Sequence, residues 1–162
     1  MSIGGGVLEG IRAQSVEADA LQRRARDLLL DAVHRAAAEG LSQREIAQVV
    51  RRSQPEVSRL LRQKPPGPLA LRVWDERRAM STALARYGIT NARIFGSVAT
   101  RSEREGSDLD VLVDTPQVLS LGTLSRLEQE LSAMVHASVD VVPVRSLPEH
   151  LRDRVLAEAV PL

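Results

Sequence analysis

The sequence predicts an α+β chain in two parts: an N-terminal all-α bundle built on a helix-turn-helix, then a small α/β domain with a short mixed sheet. Three observations carry this. Residues before position 62 repeat apolar positions at helical spacing. Lys64-Pro65-Pro66-Gly67-Pro68 cannot continue a helix, because each Pro removes an amide donor and restrains the residue before it. Beyond it, helical patterns alternate with short apolar runs, as in a sheet covered by helices. The expected boundaries are 1–64 for the helical domain, 65–68 for the linker and 69–162 for the α/β domain.

Taken in order, the Gly-rich first ten residues read as a mobile tail. From about Ser15 to Glu39, Leu21, Leu28, Leu29, Val33, Ala36 and Ala37 recur at helical spacing, and Gly40 stands where a left-handed residue ends a helix. Two shorter helices follow. Each opens on a capping box, Ser42-Gln43-Arg44-Glu45 and Ser53-Gln54-Pro55-Glu56, in which hydroxyl and carboxylate satisfy first-turn amides.

After the linker, Leu69 to Tyr87 reads as a helix closed by Gly88, and Arg93-Ile94-Phe95 as a short strand. A polar, charged loop leads to a strand at Asp108–Asp114, a helix at Leu119–His136 and a strand at Ser138–Val144. Ser146-Leu147-Pro148-Glu149 is a third capping box before a terminal helix.

With 162 residues, 43% of them apolar, the chain can bury a core in one ordinary domain or two small ones. No apolar run approaches the ~18 residues of a membrane span, and the start lacks a signal-peptide pattern, so a cytoplasmic location without membrane contact is expected. The absence of cysteine excludes disulfide and thiolate-metal chemistry. Aromatics are 2%, which argues against stacking on single-stranded nucleic acid and assigns Trp74, Tyr87 and Phe95 to the core. Residues 1–64 hold 11 Lys/Arg against 8 Asp/Glu, a balance of +3, and residues 65–162 hold 11 against 13, a balance of −2.

Leu41 to Leu61 places the small Ala47 where two helices would cross, with Ile46, Val50, Val57 and Leu60 at buried spacings. This resembles the DNA-binding helix-turn-helix, whose second helix lies in the major groove of double-stranded DNA. The resemblance implies a DNA-binding set of Arg52, Ser53, Gln54, Glu56, Ser58, Arg59 and Arg62, with Arg51 and Lys64 also within reach of phosphates. Arg51 departs from the pattern, which often has Gly in a left-handed turn, at a cost of ~1 kcal/mol. A homodimer on a palindromic operator is the natural expectation; a bundle serving protein contacts is the alternative.

The strongest signal is Ile94 to Asp114. A strand ending at Gly96 lets backbone approach a phosphate without a Cβ in the way, and Ser97 offers it a hydroxyl and an amide. Asp108 and Asp110, two apart on a strand, project from one face. Two such carboxylates repel each other unless a hard cation such as Mg²⁺, shared with substrate phosphates, lies between them. Asp140, in the apolar run Val139-Asp140-Val141-Val142, is a costly placement unless it meets a metal, a partner or solvent. It is therefore a third member of the cluster. His34, His136 and His150 share no metal-ligand spacing and read as surface residues.

Gly-Ser, ten residues (98–107), then Asp-x-Asp resembles the signature of the minimal nucleotidyltransferases of the DNA polymerase β superfamily, among them the antitoxin members of toxin–antitoxin pairs. The likeness runs from about Leu84 to the C-terminus. It implies metal ligation by Asp108 and Asp110, a role for Asp140 as general base or further metal ligand, and triphosphate binding at Gly96 and Ser97. The implied reaction is Mg²⁺-dependent transfer of AMP from ATP to the cognate toxin. The family continues Gly-Ser-x-Ala-Arg-Gly, whereas this chain has Ala99-Thr100-Arg101, which shifts the Arg by one and omits the Gly. The whole chain is then expected to be an antitoxin that nucleotidylates its toxin and represses its own operon. The alternatives are a DNA-binding regulator that binds nucleotide or toxin without catalysis, and transfer to a small molecule or RNA.

Overall fold

The computed structural model describes residues 3–115 and 118–162. The chain divides into two compact units, Met1–Pro66 and Gly67–Leu162.

In the first unit, helix α1 spans Ile3–Ala38. The helix therefore covers most of the tail expected from the sequence; Met1 and Ser2 lie outside the described residues. Extending an existing helix is cheap, and first-turn amides have no intrahelical partner in any case, so Gly4 to Gly6 do not stop it. At its end Gly40 adopts φ 87°, with Gly40 N donating to Ala37 O and Leu41 N to Ala36 O, a Schellman closure.

Helices α2 (Gln43–Val50) and α3 (Gln54–Leu61) follow. The Ser42 box is complete: Glu45 N donates to Ser42 Oγ at 3.3 Å and Ser42 N to Glu45 Oε2 at 2.8 Å. The Ser53 box is half formed, since Ser53 Oγ accepts from Glu56 N while the Glu56 carboxylate pairs with Arg52 at 3.4 Å. Between the helices Arg51 takes the left-handed conformation, φ 53°, that favours Gly. Leu30, Val33, Ile46, Ala47, Val57 and Leu60 form the core. Of the apolar repeat, Val33 is in this core with Leu29, Ala36 and Ala37 packed against it, while Leu21 and Leu28 are 57% and 48% exposed and Leu30 is the fully buried leucine.

In the second unit, α4 runs Pro68–Ala85. Pro68, placed in the linker by sequence, opens this helix instead, where its missing N–H is no loss. Glu103 caps the start, its two oxygens accepting from Leu69 N at 2.9 Å and Ala70 N at 3.1 Å. Strands β1 (Ala92–Phe95), β2 (Leu109–Val113), β3 (Val139–Pro143) and β4 (Val160–Pro161) form a mixed sheet in the order β3-β2-β1-β4. β1 is antiparallel to β2 and β4, and β2 is parallel to β3 through the crossover helix α6, Leu121–Val135.

One sheet face buries Ile94, Leu109, Val111, Val113, Val139 and Val141 with residues of α4 and α6. The other packs Phe95, Leu112 and Val142 against Leu151, Val155 and Leu156 of α7, Glu149–Glu158. Ser132 and Glu128 of α6 accept from the amides of Val139 and Val141, which occupies polar backbone on an edge strand.

Three local readings change. A four-residue helix α5, Gly96–Ala99, follows β1 directly where a loop was expected. Ser146 does not cap α7: it sits in a 3₁₀ turn with Oγ on Pro143 O at 2.7 Å, and Pro148 is the N-cap, without a side-chain bond. The two-residue β4 was not anticipated. Trp74, Tyr87 and Phe95 are half-buried, and His34 is half-buried with Nε2 2.8 Å from Gln63 O.

Candidate active site

Alternation along the strands puts Asp110 and Asp140 on the α7 face of the sheet, beside Leu112 and Val142. In the parallel register of β2 and β3 they are direct neighbours. Asp108 lies one residue before β2, where Leu109 N donates to Ser138 O at 2.8 Å. Each of the three contributes one carboxylate oxygen, and these oxygens lie within 4.8 Å of one another. Asp108 and Asp140 are exposed and Asp110 is half-buried.

Burial first, then the charges of Asp108, Asp140 and Glu158, push the Asp110 carboxyl from 3.8 up to about 6.

Phe95 pairs with Asp110 across β1 and β2, so the chain leaves β1 directly beside the carboxylates. Gly96 there has φ 68°, and a Cβ on it would collide with Oδ2 of Asp110. The glycine is thus required twice, by its backbone conformation and by contact with a carboxylate. Ser97 Oγ is inaccessible to solvent and has no hydrogen-bond partner among the described residues. The turn is closed by Thr100 Oγ1 donating to Gly96 O at 2.8 Å and Ser102 N donating to Ser97 O at 2.8 Å.

The residues fit a hard divalent cation. The donors are all carboxylate oxygens, clustered, with Asp108 and Asp140 exposed, and Oδ2 of Asp110 lies against the Cβ-free Gly96 turn. Such a cation would have Asp108, Asp110 and Asp140 as its ligands.

The structure thus brings together all five site residues expected in this half: Gly96, Ser97, Asp108, Asp110 and Asp140. It adds Glu158, whose Oε1 accepts from Gly96 N at 3.4 Å. A glutamate at the end of a helix 48 positions beyond Asp110 carries no signal in the sequence. Arg101 is half-buried in a left-handed conformation, φ 55°.

In the first unit Arg52, Ser53, Gln54, Arg59 and Arg62 are exposed. Glu56 and Ser58 are half-buried and engaged, Glu56 with Arg52 and Ser58 with Arg62 Nη2 at 3.3 Å. Ser53 spends its hydroxyl on the α3 cap. Among the described residues no helix is long and apolar enough to cross a membrane.

Comparison with known proteins places this geometry. A family model described as Polymerase beta, Nucleotidyltransferase matches residues 80–162. A protein of Methanocaldococcus jannaschii named as a protein adenylyltransferase is 39% identical over 84 residues, 52% of this chain and 90% of that protein. The protein adenylyltransferase MntA of Thermococcus cleftensis is 36% identical over 75 residues, 46% of this chain and 76% of that protein. Among solved structures, a minimal nucleotidyltransferase shares 39% identity with a TM-score of 0.52, covering 57% of this chain and 95% of its own. The matched segment contains the Gly96 turn and all three carboxylates and spans just over half of the sequence, so the chain belongs to the polymerase beta nucleotidyltransferase family.

Proposed function

We propose that the chain is a cytoplasmic antitoxin that transfers AMP from ATP to its cognate toxin and represses its own operon. In this reading residues 1–64 are the DNA-binding domain and the transferase begins with α4 at Pro68, which shortens the expected 65–68 linker to 65–67. The observation that carries the transferase half is the meeting of Asp108, Asp110 and Asp140 within 4.8 Å, beside a Gly96-Ser97 turn whose hydroxyl is unpartnered.

The Gly96 and Ser97 amides would hold phosphate oxygens, and the missing Cβ at Gly96 leaves room for the Asp110 carboxylate beside them. Held there, the nucleotide has its α-phosphorus in reach of an acceptor hydroxyl oriented at the carboxylates. A new O–P bond forms, the bond from the α-phosphorus to the bridging oxygen breaks, and pyrophosphate leaves. The hydroxyl proton passes to a carboxylate; Asp140 takes it if it is the base rather than a further metal ligand. A bound Mg²⁺, held by these aspartates, would supply charge neutralisation at the attacking and leaving oxygens.

The names of the two relatives support a protein as the acceptor class. The exposed Arg52, Gln54, Arg59 and Arg62 on α3 and its flanks, in a half with a +3 balance, support operator contact, and a homodimer on a palindrome is the arrangement proposed. A regulator that binds nucleotide or toxin without turnover is the second reading, favoured by the one-position shift of Arg101.

Incubation with α-labelled ATP, Mg²⁺ and the product of the neighbouring gene separates the two. Label on that protein, lost in Asp108→Ala and Asp110→Ala, is the expected result; no label on any macromolecule overturns the transferase reading. Those variants should still shift operator DNA, and Arg59→Ala should weaken the shift while keeping transfer.

A further inference from the structure

The Gly96 turn already holds an anion of the protein's own. Glu158, the last residue of α7, places Oε1 against the Gly96 amide at 3.4 Å. α7 is fixed on the sheet by Leu151, Val155 and Leu156, so this carboxylate is presented by a packed element rather than by a free loop. Gly96 N opens a short helix and lacks an intrahelical acceptor, so it is a donor that an anion can take. One donor of the proposed phosphate cradle is therefore filled from within the chain, and the Ser97 hydroxyl beside it is buried without a partner among the described residues. Glu158 also adds to the negative field at Asp110.

We infer that Glu158 is an internal competitor for the nucleotide phosphate: its carboxylate occupies the Gly96 amide and has to yield that donor when a triphosphate arrives. The inference rests on the proposed placing of the triphosphate at Gly96 and Ser97. Glu158 then sets nucleotide affinity, because a negative oxygen must both give up a hydrogen bond and share space with an incoming negative charge. A residue that merely supported α7 would lower affinity when altered. A competitor raises it.

The test is the affinity of the full chain for ATP with Mg²⁺, measured by titration calorimetry for wild type, Glu158→Gln and Glu158→Ala. Glu158→Gln keeps the shape and removes the charge, and Glu158→Ala removes the contact. Both should bind about three- to tenfold more tightly, the scale of one unit charge a few ångströms from a solvated phosphate. The gain should shrink as salt is raised from about 0.05 to about 0.5 M, because screening weakens charge repulsion. Unchanged or weaker binding in Glu158→Gln, with wild type binding normally, overturns the inference and leaves the transferase reading in place. No binding of ATP by wild type overturns both.

Discussion

Asp110→Asn is expected to make the metal-free protein more stable while it abolishes transfer. Burial, and then the charges of Asp108, Asp140 and Glu158, raise this carboxyl from 3.8 to about 6. The folded state thus holds the proton more tightly than the unfolded one. The stability this contributes is complete below 3.8 and is lost as pH rises through about 6. The full difference corresponds to about 3 kcal/mol, and solvent screening of a half-exposed group reduces it to about 1 kcal/mol.

Asparagine keeps the shape and carries no charge, so the strain is relieved. At about pH 7.5, in a chelator, the variant should unfold about 4–8 °C higher than wild type, and the gain should fade towards about pH 4. Added Mg²⁺ should raise the wild-type midpoint and leave the variant nearly unmoved. Thermal melts followed by circular dichroism, paired with a transfer assay, check both halves. An equal or lower midpoint at the higher pH, or a gain that persists unchanged at the lower, would refute the reasoning that burial and neighbouring charge make an ionised Asp110 costly.

Gly96→Ala should cost roughly 1–3 kcal/mol and abolish transfer, since it combines a left-handed backbone with a collision against Asp110; melts and transfer assays on one sample read both effects. Glu103→Ala removes two backbone contacts at the start of α4 and should lower stability by about 1–2 kcal/mol in a denaturant titration. Arg51→Gly should stabilise the first unit by up to ~1 kcal/mol by relieving its left-handed turn. If Arg59 contacts a phosphate, Arg59→Ala should reduce the slope of log affinity against log salt for operator DNA by about one.

The elements that could be read from the sequence are those with a local physical cause. Gly40 and Gly88 end helices because only a residue tolerant of positive φ closes them cheaply. Ser42 and Ser53 start helices because their hydroxyls reach first-turn amides. The Gly-Ser and Asp-x-Asp spacing located the site because strand alternation fixes which side chains share a face.

What escaped had no local cause. α5 is four residues without a side-chain cap, and β4 is two residues, one of them Pro, held by pairing with Arg93 and Ile94. Ser146 matched a capping box in sequence, yet the preceding 3₁₀ turn directs its hydroxyl to Pro143. Leu21 and Leu28 lie on a helical period but not on the face that meets α2 and α3, a choice made by tertiary packing. Glu158 reaches Gly96 only because α7 folds back over the sheet.

The most direct test of the site follows two phosphorus atoms of one nucleotide. ATP labelled at the α-position and, separately, at the γ-position is given to the wild-type chain and to the Asp108→Ala/Asp110→Ala double variant, each with Mg²⁺ and the acceptor protein. A nucleotidyl transfer at these carboxylates puts the α-label on the acceptor, leaves the γ-label in pyrophosphate, and fails in the double variant. Label arriving from the γ-position, or α-label that survives the double substitution, would contradict the assignment of Asp108 and Asp110 to a nucleotidyltransferase centre.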